Sequence, residues 1–292
     1  NGPLMGGAKI IQLWHGMPLR KIGYGGDWQN NDLKGKMQNF VSKWFPYAYY
    51  MKCDVLYAPS QIAKENFVEP FSKSFRNNKI EENIILVRQP RTLCFEENFQ
   101  LSNEFFSEKN LLLSFEEKYD KVISWLPTQR RQLGKTIIDV ISDSELNLNK
   151  FNEFCKSKNI LFVIKPHFLD FDEASKIVEN LDFIYIYPHA DPYPLLKYTD
   201  ILITDYSSVF YDFLFLNRPI LFMAYDLEEY VKKVQFYYNY ENLNIGPICK
   251  SWKEIKDVIL KNIDGIDTFI ETRNNTFEKY NFIKKHDLKV SI

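Results

Sequence analysis

Short apolar runs recur along the chain. Each is closed by small or polar residues, and most are followed by a stretch with helical spacing. Residues 9–14 (KIIQLW), 54–58 (DVLYA), 83–87 (NIILV), 121–126 (KVISWL), 160–164 (ILFVI), 183–187, 201–204 and 220–224 read as strands. Helical patterns occupy 61–71, 147–158, 194–198, roughly 207–216, 252–263 and 267–285, with Ser60 placed to cap the first. Short strands alternating with helices predict parallel sheets covered on both faces, joined by right-handed crossovers. The fold class is therefore α/β, with two Rossmann-type lobes. Residues 20–36 are rich in Gly, Asn, Asp and Lys and read as a loop. Residues 37–52 are aromatic and interrupted by Pro46. The strand signal lapses over 95–119, a charged stretch read as a linker with helical content. The expected division is an N-terminal lobe at 1–95, a linker at 96–120 and a C-terminal lobe at 121–292.

A chain of 292 residues with 45% hydrophobic content supports two cores of ordinary size. Lys and Arg number 37 against 38 Asp and Glu, for a net charge of −1. That balance gives no global basic field for nucleic acid. Cys53, Cys94, Cys155 and Cys249 are scattered, with no C-x-x-C pair or Cys/His cluster, so neither a structural zinc site nor a disulfide framework is expected. No apolar run approaches the ~20 residues needed to span a bilayer, and no signal peptide is visible. A cytoplasmic location follows as the expectation. The chain opens at Asn1 and reaches an apolar strand almost at once, so the N-terminal lobe is expected to be incomplete at its N-terminus.

Candidate chemistry gathers where open α/β sheets bind ligands, beyond the carboxyl ends of strands. His15 and Gly16 follow the first strand. Arg130 follows the fourth in a PTQRR loop, and Lys165, Pro166 and His167 follow the fifth. Thr204, Asp205, Ser207 and Ser208 close the strand at 201–204 and open a helix. Serine hydroxyls and free N–H groups at a helix start suit a phosphate, though serine is also an ordinary N-cap. Arg130 offers a bidentate fork for phosphate, or is simply half of a surface basic pair. Lys165 and His167 read as a diphosphate clamp or as a solvated pair. His15, with an unperturbed pKa of about 6.5, suits a general base, and a backbone-satisfied core histidine is the alternative. Asp170-Phe-Asp172 matches an acid-x-acid metal pattern but reads as a loop, and no metal site is expected. No P-loop or G-x-G-x-x-G occurs.

Taken together, these motifs resemble the CDP-glycerol glycerophosphotransferase family, which includes wall teichoic acid and capsule polymer polymerases. QLWHGMPLRKIG at 12–23 is similar to Q-x-W-H-G-T-P-L-K-x-x-G. DVLYAPSQIAKENFVEPF, WLPTQRR and VIKPH resemble further family segments, and ILITDYSSVFYDFLFLNRPILFMAYDLEEY at 201–230 matches the longest block. The resemblance covers about residues 9–250. It implies a GT-B-like fold of two Rossmann-type lobes with parallel sheets facing a central cleft. It also implies transfer of a polyol phosphate, glycerol phosphate first, from a CDP-activated donor to a hydroxyl of a growing teichoic-acid-like or capsular polymer, with release of CMP.

On this resemblance Arg130, Lys165, Thr204, Asp205, Ser207 and Ser208 form the donor side. His167 acts as a hydrogen-bonding or electrostatic group, and Asp205 orients its turn. His15 takes the acceptor proton, with Gly16 and Arg20 on the acceptor side. No cofactor beyond the CDP-polyol substrate is implied. The acceptor is lipid-linked or polymeric, which implies peripheral contact at the inner face of the cell membrane. Lys43 to Lys52 is the segment that suits such an interface, or else packs within the protein. Met17 replaces the usual Thr, Gln129 replaces an aromatic, and VRQPR at 87–91 replaces G-Y-P-R while keeping Pro90-Arg91. In the family these regions shape the donor and acceptor pockets, so the resemblance leaves the polyol open between glycerol, ribitol and another. A GT-B glycosyltransferase using a nucleotide sugar such as CMP-sialic acid is the runner-up, and a non-catalytic assembly subunit is the third reading.

Overall fold

In a computed structural model of the chain, the predicted apolar runs form two parallel sheets. The structure describes residues 7–14, 16–22, 36–37, 40–41, 44, 53–72, 74–75, 79–97, 99, 108–130, 133–234 and 236–280. Two compact units result: Asn1–Pro90 with Glu228–Tyr240 and Phe277–Ile292, and Arg91–Leu227 with Glu241–Thr276. The chain thus re-enters the first unit twice, which local patterning gives no means of seeing.

In the first unit β1 (Ile11–Gln12), β2 (Val55–Ala58) and β3 (Ile84–Leu86) pair in parallel in that order. Between β2 and β3 lie α1 (Gln61–Val68) and the single turn α2 (Ile80–Asn83). Ser60 caps α1 as expected: its backbone is extended and its Oγ accepts from the Ala63 N–H at 3.1 Å. Ala63 and Phe67 on α1 are fully buried, and Phe67 meets Phe71 edge-on at 5.5 Å.

The second unit holds a six-stranded parallel sheet in the order β6-β5-β4-β7-β8-β9. Its strands are β4 (Lys121–Leu126), β5 (Ile160–Ile164), β6 (Ile184–Ile186), β7 (Ile201–Thr204), β8 (Ile220–Met223) and β9 (Ile248–Cys249). β4, β5, β7 and β8 are buried over almost their whole length, because helices cover both faces. Those helices are α3 (Lys109–Lys118), α4 (Ile137–Asp143), α5 (Leu148–Ser157), α6 (Phe171–Val178), α7 (Tyr193–Lys197), α8 (Val209–Phe213) and α10 (Trp252–Ile263). α9 (Leu227–Lys233) and α11 (Ile270–Tyr280) carry the chain across the unit boundaries. On one face Trp125, Phe151, Phe162 and Trp252 form the aromatic centre of the core. Trp125 and Trp252 are edge-on at 4.9 Å, and the Trp252 indole N–H donates to Ser144 Oγ at 3.0 Å. On the other face Leu112 and Phe115 of α3 pack with Val122, Leu161 and Val163.

Several elements differ from the pattern reading. Residues 109–118, read as part of a linker, form α3 in the second unit's core. Residues 170–172, read as a loop, belong to a helical turn at Phe168–Asp170 that runs into α6, with Asp170 buried. α4 went unread although Thr136 and Asp139 make a capping box, with the Asp139 carboxylate accepting from the Thr136 N–H at 2.7 Å. The predicted helix from 207 is shorter, since five α-helical residues pass into a 3-10 turn at Leu214–Leu216.

Candidate active site

The second unit's sheet reverses its winding beside its first strand. From β4 the chain steps to β5 and β6 on one side, then returns to β7 on the other side of β4 and continues to β8 and β9. A crevice opens at such a switch point, beyond the carboxyl ends of the strands. The register sets the exits level. Trp125 of β4 faces Ile164 of β5, and Leu126 faces Thr204 of β7. The loops beginning at Pro127, Lys165 and Asp205 therefore leave the sheet side by side. Sequence reading placed Arg130, Lys165, His167, Asp205, Ser207 and Ser208 in these loops, and the fold brings the loops together.

Within that edge the side chains divide into a buried framework and an accessible rim. Arg130 belongs to the framework, and its side chain is 0% exposed. Its Nε and Nη2 grip Asp226 at 2.9 and 3.1 Å, and its Nη1 donates to Asp205 Oδ2 and to the Thr128 carbonyl, both at 2.8 Å. The Tyr206 and Tyr225 rings flank the guanidinium at 5.4 Å. Burial opposes the charge, but Asp205 and Asp226 outweigh it and raise the Arg130 pKa above its ordinary value. Asp205 accepts from the Thr128 N–H at 2.8 Å and from the Tyr206 N–H at 2.6 Å. Thr204 is buried and donates to the Leu126 carbonyl at 2.9 Å. Of the expected donor-side residues, Arg130 and Thr204 direct these hydrogen bonds inward, joining β4 to β7, and Asp205 holds its turn.

The rim carries Lys165, His167, Ser207 and Ser208, all partly exposed. His167 starts the turn after β5, and its Nδ1 accepts from the Leu169 N–H at 3.4 Å. A neutral imidazole accepting at Nδ1 carries its proton on Nε2, so it presents a donor. Lys165 Nζ donates to the Pro166 carbonyl at 2.9 Å. Burial lowers its pKa, and Asp191 partly offsets that. Ser207 Oγ accepts from the Val209 N–H at 3.3 Å, whereas the Ser208 side chain makes no capping bond. Two cationic or N–H donors and two hydroxyls are the chemistry a phosphate-bearing ligand requires. Cysteine chemistry does not compete: burial pushes the Cys155 and Cys249 thiols up to about 12 and Cys53 up to about 11.

In the first unit, His15 lies outside the described residues. Its neighbours show an unusual backbone: Trp14 has φ 54 and Gly16 has φ 105, both left-handed. Such strain in a bulky residue collects at functional turns, and here the Gln12 Oε1 accepts from the Trp14 N–H at 2.9 Å. Gly16 is buried, as are Met17 and Leu19 beyond it. Arg20 Nη1 donates to the Tyr230 hydroxyl at 3.0 Å, and the Tyr237 N–H to the Leu19 carbonyl at 3.0 Å. The re-entrant segment at 228–240 thus anchors the end of the W-H-G block.

Three features escaped the sequence reading. Asp226 lies just past β8 and was readable as a strand-end carboxylate, but nothing local distinguishes it from the acids that follow. Arg91 reaches Asp212 through Nε and Nη2 at 3.1 and 2.9 Å, and the Tyr193 hydroxyl donates to the same carboxylate at 2.6 Å. Burial and then Asp212 raise the Tyr193 pKa well above its ordinary value. The Tyr187 hydroxyl donates to buried Glu108 at 3.1 Å, with His189 Nδ1 3.8 Å from that carboxylate. Among the described residues, no group of three or more His, Cys, Asp or Glu is placed to hold a metal ion.

Two units, each built on a parallel α/β sheet, define a protein of the GT-B-like class, and comparison with solved structures agrees. Wall teichoic acid polymerase TagF superimposes with a TM-score of 0.67 at 24% identity, over 94% of this chain and 64% of that one. The chain belongs to the CDP-Glycerol:Poly(glycerophosphate) glycerophosphotransferase family, whose sequence profile matches residues 5–291. It is 30% identical over 268 residues to the teichoic acid poly(glycerol phosphate) polymerase of Bacillus spizizenii, covering 86% of this chain and 60% of the relative. The teichoic acid poly(ribitol-phosphate) polymerase of the same organism is 29% identical over 272 residues, covering 90% of this chain and 40% of the relative. The chain thus spans about half the length of these two relatives.

Proposed function

We propose that the protein transfers a polyol phosphate from a CDP-activated donor to a hydroxyl of a teichoic-acid-like polymer. The observation that carries this reading is the side-by-side exit of the β4, β5 and β7 loops, which sets Lys165, His167, Ser207 and Ser208 along one rim. The acceptor oxygen attacks the phosphorus that bears the polyol, a new phosphodiester forms, and the bond to the bridging oxygen breaks. CMP leaves with that oxygen. Lys165, the His167 Nε2–H and the two serine hydroxyls neutralise charge on the diphosphate as it shifts toward CMP. Family resemblance assigns the acceptor proton to His15.

Glycerol is the first choice of polyol because the family description names it. The near-equal identity to glycerol and ribitol relatives makes the donor panel below the deciding measurement. Peripheral membrane contact is part of this proposal. Most of the expected 43–52 segment lies outside the described residues, but Met37, Phe40 and Trp44 stand 62%, 66% and 73% exposed on helical backbone. That is the spacing of one helix face, which suits an interface. Among the described residues, no helix is long and apolar enough to cross a membrane.

Melting of the full chain with CDP-glycerol, CDP-ribitol, CMP-sialic acid, UDP-sugars and CMP tests the reading, since a native-state ligand raises Tm. Stabilisation by a CDP-polyol, weakened in Ser208→Ala, is the expected result and names the polyol. Stabilisation by CMP-sialic acid or a UDP-sugar alone assigns the protein to the glycosyltransferases. For the membrane contact, flotation with anionic vesicles is expected to carry the wild type up and to leave Trp44→Glu behind.

A further inference from the structure

Asp226 lies near the end of the 201–230 block, where no role was read for it, yet the framework beneath the donor rim converges on it. It accepts from Arg130 through both carboxylate oxygens and from the Tyr206 hydroxyl at 2.8 Å. Arg130 in turn holds Asp205 and the Thr128 carbonyl, and Asp205 holds the Thr128 and Tyr206 N–H groups. Three loops are fixed by this one cluster: the β4 exit through Thr128 and Arg130, the β7 exit through Asp205 and Tyr206, and the β8 exit through Asp226. The turn so fixed continues directly into Ser207 and Ser208.

The framework is buried and ion-paired. The side chains of Arg130, Asp205 and Asp226 are 0%, 3% and 10% exposed. One buried guanidinium between two carboxylates leaves a net negative charge, so the cluster does not itself recruit a diphosphate. It makes the loops rigid instead. A buried bidentate pair has one geometry, and a flanking hydroxyl fixes its rotamer further. Hydroxyls and amides held before the ligand arrives lose no ordering entropy on binding.

We propose that Asp226 is a positioning residue of the donor site. It holds Arg130 and Tyr206 so that the Ser207–Ser208 turn is preorganised for the diphosphate. Asp226 acts through its neighbours and touches no reacting atom. The inference rests on the donor reading above, because it assigns Ser207 and Ser208 to the ligand.

The test compares Asp226→Asn with Asp267→Asn in the full chain. Asp267 pairs with Arg273, whose other contacts are with Asn217, outside the framework. Calorimetric titration with CDP-glycerol and CMP is run well below each Tm, on protein shown to be folded by circular dichroism. Hydrogen exchange of the ligand-free proteins is followed in parallel. The expected result is that both variants melt earlier but only Asp226→Asn binds weaker, by about tenfold or more. Its exchange quickens over residues 128–130 and 205–209 and is unchanged over α10. Asp226→Glu, which keeps the charge, regains part of the affinity. The inference is overturned if the folded Asp226→Asn protein binds both ligands within about twofold of wild type while its Tm falls as in Asp267→Asn. If the wild type binds neither ligand, the donor reading fails, and exchange alone then judges the positioning role. Unchanged exchange over 205–209 overturns that as well.

Discussion

Two arginines of the second unit are buried almost completely, Arg130 at 2% and Arg273 at 1% residue exposure, and they sit at opposite ends of the same strand layer. Arg130 lies beyond the carboxyl end of β4. Arg273, on α11, reaches Asn217 ahead of β8, donating from Nε to its Oδ1 at 3.1 Å and from Nη2 to its carbonyl at 3.2 Å, with Asp267 as its ion-pair partner. Asn217 is left-handed at φ 47, so Arg273 secures a strained helix end. Both residues pay desolvation and recover it from carboxylates and carbonyls. Burial and pairing alone therefore do not mark a functional arginine. Position on the sheet separates the two, because ligand crevices open only at carboxyl ends.

Removing each arginine gives the sharpest contrast. Arg130→Ala leaves Asp205 and Asp226 buried without their cation, and a loss of about 3–5 kcal/mol of unfolding free energy is expected. Donor binding is expected to vanish with it. Urea denaturation and calorimetric titration read the two effects. Arg273→Ala is expected to destabilise by a similar or slightly smaller amount, because Asp267 is left with less burial, 14% side-chain exposure against 3% and 10%. Its folded state should bind CDP-glycerol as the wild type does, and a tenfold loss there would erase the distinction between the two ends.

Ser208→Ala probes the rim without touching the framework. Its hydroxyl makes no capping bond, so Tm is expected to stay within about 1 °C. Losing a hydrogen bond to a charged phosphate is expected to weaken CDP-glycerol by about tenfold, read by titration. A fall in Tm without a change in affinity would move Ser208 from the rim to the framework.

The smallest effect is a pH dependence. Burial pushes the Asp226 pKa up, but Arg130 and Tyr206 more than reverse this, leaving it below the usual carboxylate value of 3.8. The unfolded chain therefore binds more protons in that window, and stability rises with pH through it. The contribution is fully present above the unfolded value and is lost as pH falls through the folded one. Asp226→Asn is expected to flatten the acid limb of a Tm-against-pH curve and to leave its slope above about pH 6 unchanged. An acid limb identical to wild type would remove Asp226 from the pairing.

Legibility followed the range of the forces involved. Strand cores at 121–126, 160–164 and 201–204 were readable to the residue, since parallel strands buried on both faces are uniformly apolar. The cap at Ser60 was equally local, its Oγ accepting from an N–H three residues on; Asn147 and Ser251 cap their helices in the same way, though the pattern reading did not name them. The core role of α3 was obscured because its buried positions, Leu112 and Phe115, are interleaved with charge, so its helical content read as linker. α6 was obscured by an acid pair that resembled a metal loop, although two acids in a first turn also favour a helix.

The sequence by itself determined the alternation of strand and helix, the placing of polar residues at strand exits and the family, because these depend on side chains close together along the chain. Only the tertiary structure decided which of those polar residues are enclosed and which stay accessible. Arg130 and Ser208 both follow strand ends, but Arg130 meets Asp226 across 96 residues of sequence and is enclosed, whereas Ser208 keeps its hydroxyl clear of the framework. Partners and burial are fixed by what the fold brings from afar, and they set whether a polar group is spent inside the protein or left accessible at its edge.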